Sequence, residues 1–252
     1  MKYPISVVII TLNEEKNIAT CLRAIQQVAD EIIVVDAMSS DQTVAICEEM
    51  GARVTRYPWK GYSQNKNHGN SLCRNDWVLS IDADEVLSDD LISSLQQWEP
   101  EENVIYALDR LTSFCGQWIR HTGWYPDWKI RLFNRKKLRW EGDFVHETLG
   151  KNSAYTVKKI KGKLYHYSFA SKEDHLKRLE RYSQLAAEEM YSMKRSVPYL
   201  KMYIGPLFRF FRSFFVKRGF LDGYYGWVIS KRDAYLVYQK YRKLSLLYKK
   251  NT

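Results

Sequence analysis

Ile5-Ser6-Val7-Val8-Ile9-Ile10-Thr11-Leu12-Asn13-Glu14 opens the chain with a β-branched apolar run that turns abruptly polar. A short run of this kind is a strand buried on both faces, and such strands belong to parallel sheets covered by helices. The polar residues after it stand where open α/β sheets bind ligands, beyond the carboxyl ends of the strands. Thr11 to Glu15 contains no glycine, which excludes both a nicotinamide-binding Rossmann fingerprint and a P-loop.

Downstream, the same alternation recurs. Asn13 is placed to cap a first helix whose apolar residues Ile18, Cys21, Leu22 and Ile25 recur at helical spacing. Ile32 to Val35 reads as a second strand, Asp41 to Met50 as a helix, Arg53 to Tyr57 as a third strand and Gln64 to Leu72 as another helix. Trp77 to Ile81 is a fourth strand, Ser88 caps a helix running to Trp98, and Val104 to Leu108 is a further strand. The fold class expected is α/β, a doubly wound mixed sheet. Between Gly116 and Lys151 the pattern becomes aromatic and irregular, with short strands at Lys129 to Phe133 and Lys163 to Tyr167. Ser171 to Met193 reads as a long polar amphipathic helix, and an aromatic, basic segment follows Pro198.

With 252 residues the chain can bury one large core plus an appendage, so the expected division is a catalytic part over 1–170 and a helical part over 171–252. The formal charge of +10 is uneven: Lys194 to Thr252 carries 14 Lys and Arg against Asp222 and Asp233, or +12, which leaves −2 for the rest. Only the tail therefore suits an anionic partner, and the core is not basic enough to argue for nucleic acid. Cys21, Cys47, Cys73 and Cys115 form no CxxC pair, so disulfides and structural zinc are unsupported and a reducing cytoplasm fits. The N-terminus lacks the marks of a signal peptide, and no apolar stretch of about 18 residues is present.

Three polar clusters follow strands: Thr11 to Glu14, Asp36 to Asp41, and Asp82-Ala83-Asp84-Glu85. The third has the sharpest chemistry, because adjacent hard oxygen ligands can hold Mg²⁺ or Mn²⁺ against a diphosphate. An Asp-x-Asp alone is often only a helix cap or a solvated turn, and its place in a series of three such clusters is what singles it out.

At these residues the chain resembles the family 2 inverting glycosyltransferases of GT-A fold. The matching features are Val8 to Glu14, Ile33-Val34-Val35-Asp36 with Ser39, Asp41 and Thr43, and Asp82-Ala83-Asp84-Glu85, and the resemblance covers approximately residues 4 to 170. It implies that Thr11, Asn13, Glu14, Asp36 and Ser39 serve the nucleoside of a UDP-sugar. Asp82 would then approach the ribose or donor sugar, Asp84 would hold the metal, and Glu85 would support the turn. Helix capping remains the bland alternative for Asn13 and Asp41.

Gly123-Trp124-Tyr125-Pro126-Asp127, Arg131-Leu132-Phe133 and Val145-His146-Glu147 resemble the branch that includes bacterial lipopolysaccharide core glycosyltransferases. That resemblance makes Glu147 the first choice for general base and Asp127 the second, although His146-Glu147 departs from the family's commoner acidic pair. It also offers His166 as a second metal ligand, against the alternative of a packed core imidazole. Trp124 is a candidate for stacking on the acceptor sugar, with core packing as its alternative.

The resemblance implies a hexose transfer, of glucose from UDP-glucose onto the inner-core heptose of a lipid-linked oligosaccharide acceptor, at the inner membrane of a Gram-negative bacterium. Rival readings are a polyprenyl phosphate or peptide acceptor, or a silent sugar-nucleotide-binding protein. Leu207 to Arg218 mixes aromatics with Arg and Lys and suits peripheral attachment to an anionic membrane surface. Packing of its aromatics on the catalytic part or on a second copy, as a homo-oligomer, is the alternative.

Overall fold

A computed structural model of the chain describes residues 3–142, 148–150 and 155–250. Contacts divide the chain into two compact units, Met1–Arg110 with Asp127–His166, and Leu111–Pro126 with Tyr167–Thr252. The boundary expected at residue 170 thus lies at 166, and Leu111–Pro126 groups with the C-terminal helices.

In the first unit, β1 (Ile5–Thr11), α1 (Ile18–Ile25), β2 (Glu31–Asp36), α2 (Thr43–Glu49), β3 (Arg53–Arg56), α3 (Tyr62–Leu72) and β4 (Trp77–Asp82) alternate as expected. Then come β5 (Glu85–Leu87), α4 (Asp89–Gln96) and β6 (Val104–Phe114), and after the short β7 (Gln117–Trp118) comes β8 (Asp127–Asn134). The short strands β9 (Trp140–Glu141) and β10 (Thr148–Leu149) pair with each other, and β11 runs over Thr156–Phe169. The division between the units falls inside β6 and inside β11.

The main sheet is ordered β3-β2-β1-β4-β8-β6-β11-β5. β1 pairs in parallel with β2 and β4, whereas β8 is antiparallel to both β4 and β6. The sheet is therefore mixed, with a parallel half whose strand order reverses beside β1. Every residue of β1 is buried. Ile5, Val7 and Ile9 share a core with Ile18, Leu22 and Ile25 of α1, while Val8 and Ile10 pack with Cys73, Tyr62 and Leu72 around α3. Alternate side chains thus meet helices on opposite faces, which is why the strand reads as a continuous apolar run. Gly69 lets α3 approach closely, since a Cβ there would collide with the side chains of Val8 and Val35.

The cap expected at Ser88 is present, its hydroxyl accepting a hydrogen bond from the Leu91 amide 3.3 Å away, and Ser171 likewise accepts from the Asp174 amide at 3.0 Å. Asn13 does not cap α1, which begins five residues later at Ile18 behind Asn17. It adopts a left-handed conformation with φ 55° and turns its side chain to the neighbouring loop. The strands expected at Val104–Leu108, Lys129–Phe133 and Lys163–Tyr167 are all longer than their apolar cores suggested. The extensions bring Arg110 into β6 and Asp127 into β8.

The second unit contains β7, α5 (Lys172–Ser192), α6 (Tyr199–Phe211) and α7 (Gly223–Lys250), with a π-helical turn over Arg212–Val216 and a 3-10 turn over Gly219–Asp222 joining the last two. Its core gathers Phe114, Ile119, Val228 and Ile229, with Trp124 and Phe169 against them. Trp124 lies within 6.0 Å, centre to centre, of the rings of Phe114, Phe169 and His175. Of its two expected roles, the structure shows packing. Among the described residues no helix is long and apolar enough to cross a membrane.

Candidate active site

The ends of β1, β2 and β4 meet where the strand order reverses, at the switch point at which open α/β sheets place their ligands. Register aligns Thr11 with Asp36, and Ile10 with Asp82. Backbone pairing alone therefore draws the three polar clusters together.

The first two clusters interlock. The Asn13 amide donates to Ser39 Oγ at 2.8 Å, and Asn13 Oδ1 accepts from the Ser40 amide at 2.9 Å. The Glu14 amide donates to Thr43 Oγ1 at 2.8 Å. Asp41 accepts from the amides of Thr43 and Glu15, at 3.0 and 3.2 Å, so it serves the start of α2 and the facing loop together. Asp36 is fully buried and takes the Ser39 amide on Oδ2 at 2.9 Å. Its Oδ1, like Thr11 Oγ1, is buried with no hydrogen-bond partner among the described residues. Buried polar atoms are normally paired, so these two have bonding capacity that a ligand could fill.

The third cluster lies in a network of alternating charge. Arg131, almost wholly buried on β8, directs Nη2 to Asp82 Oδ2 at 2.7 Å and to Glu85 Oε1 at 2.5 Å. Lys66 on α3, with 1% of its side chain exposed, brings Nζ within 3.4 Å of Asp82 Oδ1 and stands 4.9 Å over the Trp140 ring. Glu85 also accepts from the Asp82 amide at 3.0 Å, which gives it the turn-supporting role expected. Burial works to raise the Asp82 pKa, but the charges of Arg131 and Lys66 outweigh it and hold the carboxyl far below the usual carboxylate range.

From Glu85 the network runs through Arg110, 3.5 Å away, to Asp127, whose Oδ2 is 2.7 Å from Arg110 Nη2 and whose Oδ1 is 3.1 Å from Lys129. Burial of Asp127 is opposed by Arg110 and Lys129, so its pKa too lies below the ordinary range. A carboxylate held in this way has a weakened appetite for protons. Glu147 and His146 lie outside the described residues.

Asp84 and His166 come together through the pairing of β5 with β11, which sets His166 opposite Glu85. His166 Nε2 is 3.3 Å from Asp84 Oδ2, and each side chain is 14% exposed. No group of three or more His, Cys, Asp or Glu suited to a metal occurs among the described residues. A carboxylate with one imidazole is nonetheless a workable protein share for Mn²⁺ or Mg²⁺ in a site where substrate phosphates and water complete the shell.

Sequence reasoning did not single out Lys66, Arg110 or Arg131 as site residues. For Lys66 a signal existed: Ser63, Lys66, Gly69 and Asn70 share a helical face, all buried. A lysine on the face that meets the sheet demands a counter-charge. Arg131 stood in the Arg131-Leu132-Phe133 stretch of the resemblance without a role, and Arg110 had no local signal, because the carboxylate partners of both are distant in sequence.

Residues 6–162 match the pattern of the family described as glycosyl transferase family 2. A protein described as an uncharacterized glycosyltransferase of Rickettsia felis is 31% identical over 98% of this chain and 92% of its own length. The lipopolysaccharide core biosynthesis glycosyltransferase LpsC of Rhizobium meliloti is 26% identical over 95% of this chain and 94% of its own. Among solved structures, S. aureus TarS (residues 1–349) aligns at TM-score 0.46 and 15% identity, covering 99% of this chain and 92% of that one.

Proposed function

The chain belongs to glycosyl transferase family 2, and from that premise we propose that it transfers a hexose, glucose from UDP-glucose, with inversion onto the inner-core heptose of a lipid-anchored lipopolysaccharide precursor. The reaction takes place at the cytoplasmic face of the inner membrane of a Gram-negative bacterium. The description of the Rhizobium meliloti relative as a lipopolysaccharide core biosynthesis glycosyltransferase supports this acceptor class. The observation that carries the reading is the junction of Asp82, held by Lys66 and Arg131, with the Asp84–His166 pair at the switch point.

Thr11 Oγ1 and Asp36 Oδ1 have the open bonding capacity to receive the nucleoside. Asp84 and His166 would hold a Mg²⁺ or Mn²⁺ ion, which supplies positive charge against the leaving diphosphate. Lys66 and Arg131 keep Asp82 ionised and fix its orientation toward the ribose or donor sugar. Glu147, with Asp127 as second choice, takes the proton of the acceptor hydroxyl while its oxygen bonds to the anomeric carbon and the bond to the diphosphate breaks. UDP leaves with the bonding pair.

The test is UDP release by the purified protein from UDP-glucose and other UDP-sugars, with Mn²⁺ or Mg²⁺, with and without deacylated inner-core oligosaccharide. Acceptor-dependent release with UDP-glucose is expected. Release that ignores this acceptor but responds to a polyprenyl phosphate or a peptide would move the assignment to that acceptor.

A further inference from the structure

The segment from Leu207 to Arg218 is not uniform in the folded chain. Phe210 and Phe214 are half-buried and stack on each other at 5.5 Å, and Arg209 is engaged by Asp233 at 2.7 Å. The outward face of α6 is a different set that begins earlier: Leu200, Tyr203, Ile204, Leu207, Phe208 and Phe211. They recur at i, i+3, i+4, i+7, i+8 and i+11, one stripe of a helix, while Met202 and Ser213 are buried on the opposite side. Leu200 and Leu207 are each 72% exposed and Phe208 66%, values suited to a surface that is covered by something. The stripe continues through ring contacts from Phe211 to Phe215, Phe214 and Phe220, and reaches exposed Leu221.

Charge decides what covers it. Lys201, Arg212, Lys217 and Arg218 are exposed along the stripe. The two carboxylates between Lys194 and Lys250, Asp222 and Asp233, are both buried. Asp222 is spent on His121 Nδ1 at 2.9 Å and on the amides of Arg120 and His121, and Asp233 on Arg209. The outward charge of this part of the chain is therefore positive throughout. A second copy docking the same face would set these cations against themselves, because a two-fold interface joins a patch to itself. An anionic bilayer offers hydrocarbon to the stripe and negative headgroups to its border.

We propose that the outward face of α6, extended by Phe215, Phe220 and Leu221, is a docking surface for an anionic lipid bilayer, with the helix lying in the plane of the headgroups. This deepens the membrane location in the function proposed above, yet it is tested without donor or acceptor, so the two can fail separately.

The experiment is co-sedimentation of the full chain with vesicles of phosphatidylcholine with or without phosphatidylglycerol, alongside sedimentation equilibrium without lipid. Thermal unfolding and circular dichroism serve as controls for folding. Binding is expected only with phosphatidylglycerol and should weaken with salt. It should fall by about tenfold or more in Phe208→Glu/Phe211→Glu, because interfacial binding scales with the apolar area buried. It should fall to a lesser degree in Arg212→Gln/Lys217→Gln, where the apolar stripe is intact. Vesicle binding unaltered in the folded glutamate variant would overturn the proposal, and so would a lipid-free dimer that this variant dissociates.

Discussion

Arg131 on β8 reaches Asp82 at the end of β4, with Nη2 and Oδ2 2.7 Å apart, and shares the same nitrogen with Glu85 at 2.5 Å. One buried guanidinium thereby holds two carboxylates of the acidic turn that also contains Asp84, the proposed metal ligand.

Because Glu85 is completely buried, Arg131→Leu would leave its charge to Arg110 alone, at the longer distance of 3.5 Å. Removal of one partner from such a pair costs about 3–5 kcal/mol. Urea unfolding should show a loss of that order together with weakened UDP binding. A loss below about 1 kcal/mol, the range of surface pairs, would mean that water already screens the network.

Asp84 and Glu147 should separate by what each variant loses. Asp84→Ala is expected to remove metal stimulation of turnover, with a fall on the order of a hundredfold or more in kcat, as when a group that stabilises developing charge is deleted. Glu147→Gln should leave calorimetric donor binding intact and lower transfer by about 10²–10⁴, the range of general base catalysis. Full activity in Glu147→Gln together with inactivity in Asp127→Asn would shift the base to Asp127.

His175 should make the fold acid-sensitive. Burial, with the charges of Arg232 and Arg178, lowers its pKa from 6.5 to about 4. The unfolded chain therefore binds this proton at a higher pH than the folded one. Its contribution is complete above pH of about 6.5 and is lost as the pH falls toward about 4, a change of order 3 kcal/mol. Urea unfolding compared between these limits should show that slope in the natural chain and a shallower one in His175→Phe, which retains an aromatic ring beside Phe114 and Phe169. Equal slopes would assign the acid sensitivity elsewhere.

The apolar runs of β1, β2 and β4, and the polar clusters directly after them, determine by themselves the parallel half-sheet and the place where those clusters meet. Both are local: a strand buried on two faces must be apolar throughout, and its end must be polar where it meets a ligand. The Ser88 cap is legible for the same reason, since a cap acts within one turn. Asn13 misleads because a short polar side chain suits a cap and a left-handed turn equally, and only the loop at Ser40 selects the turn.

Tertiary structure alone decided the rest. Lys66, Arg110 and Arg131 become site residues only when α3, β6 and β8 bring their charges against Asp82, Glu85 and Asp127, and the desolvation of buried charge makes such pairing obligatory. The aromatic, basic tail reads in sequence as one amphipathic mixture. Folding partitions it: Met202 is buried and Arg209 engages Asp233, while the stripe from Leu200 to Phe211 and the cations beside it are left facing outward. Side-chain composition determines that such a segment needs a partner, but only packing decides which of its faces is left to find one.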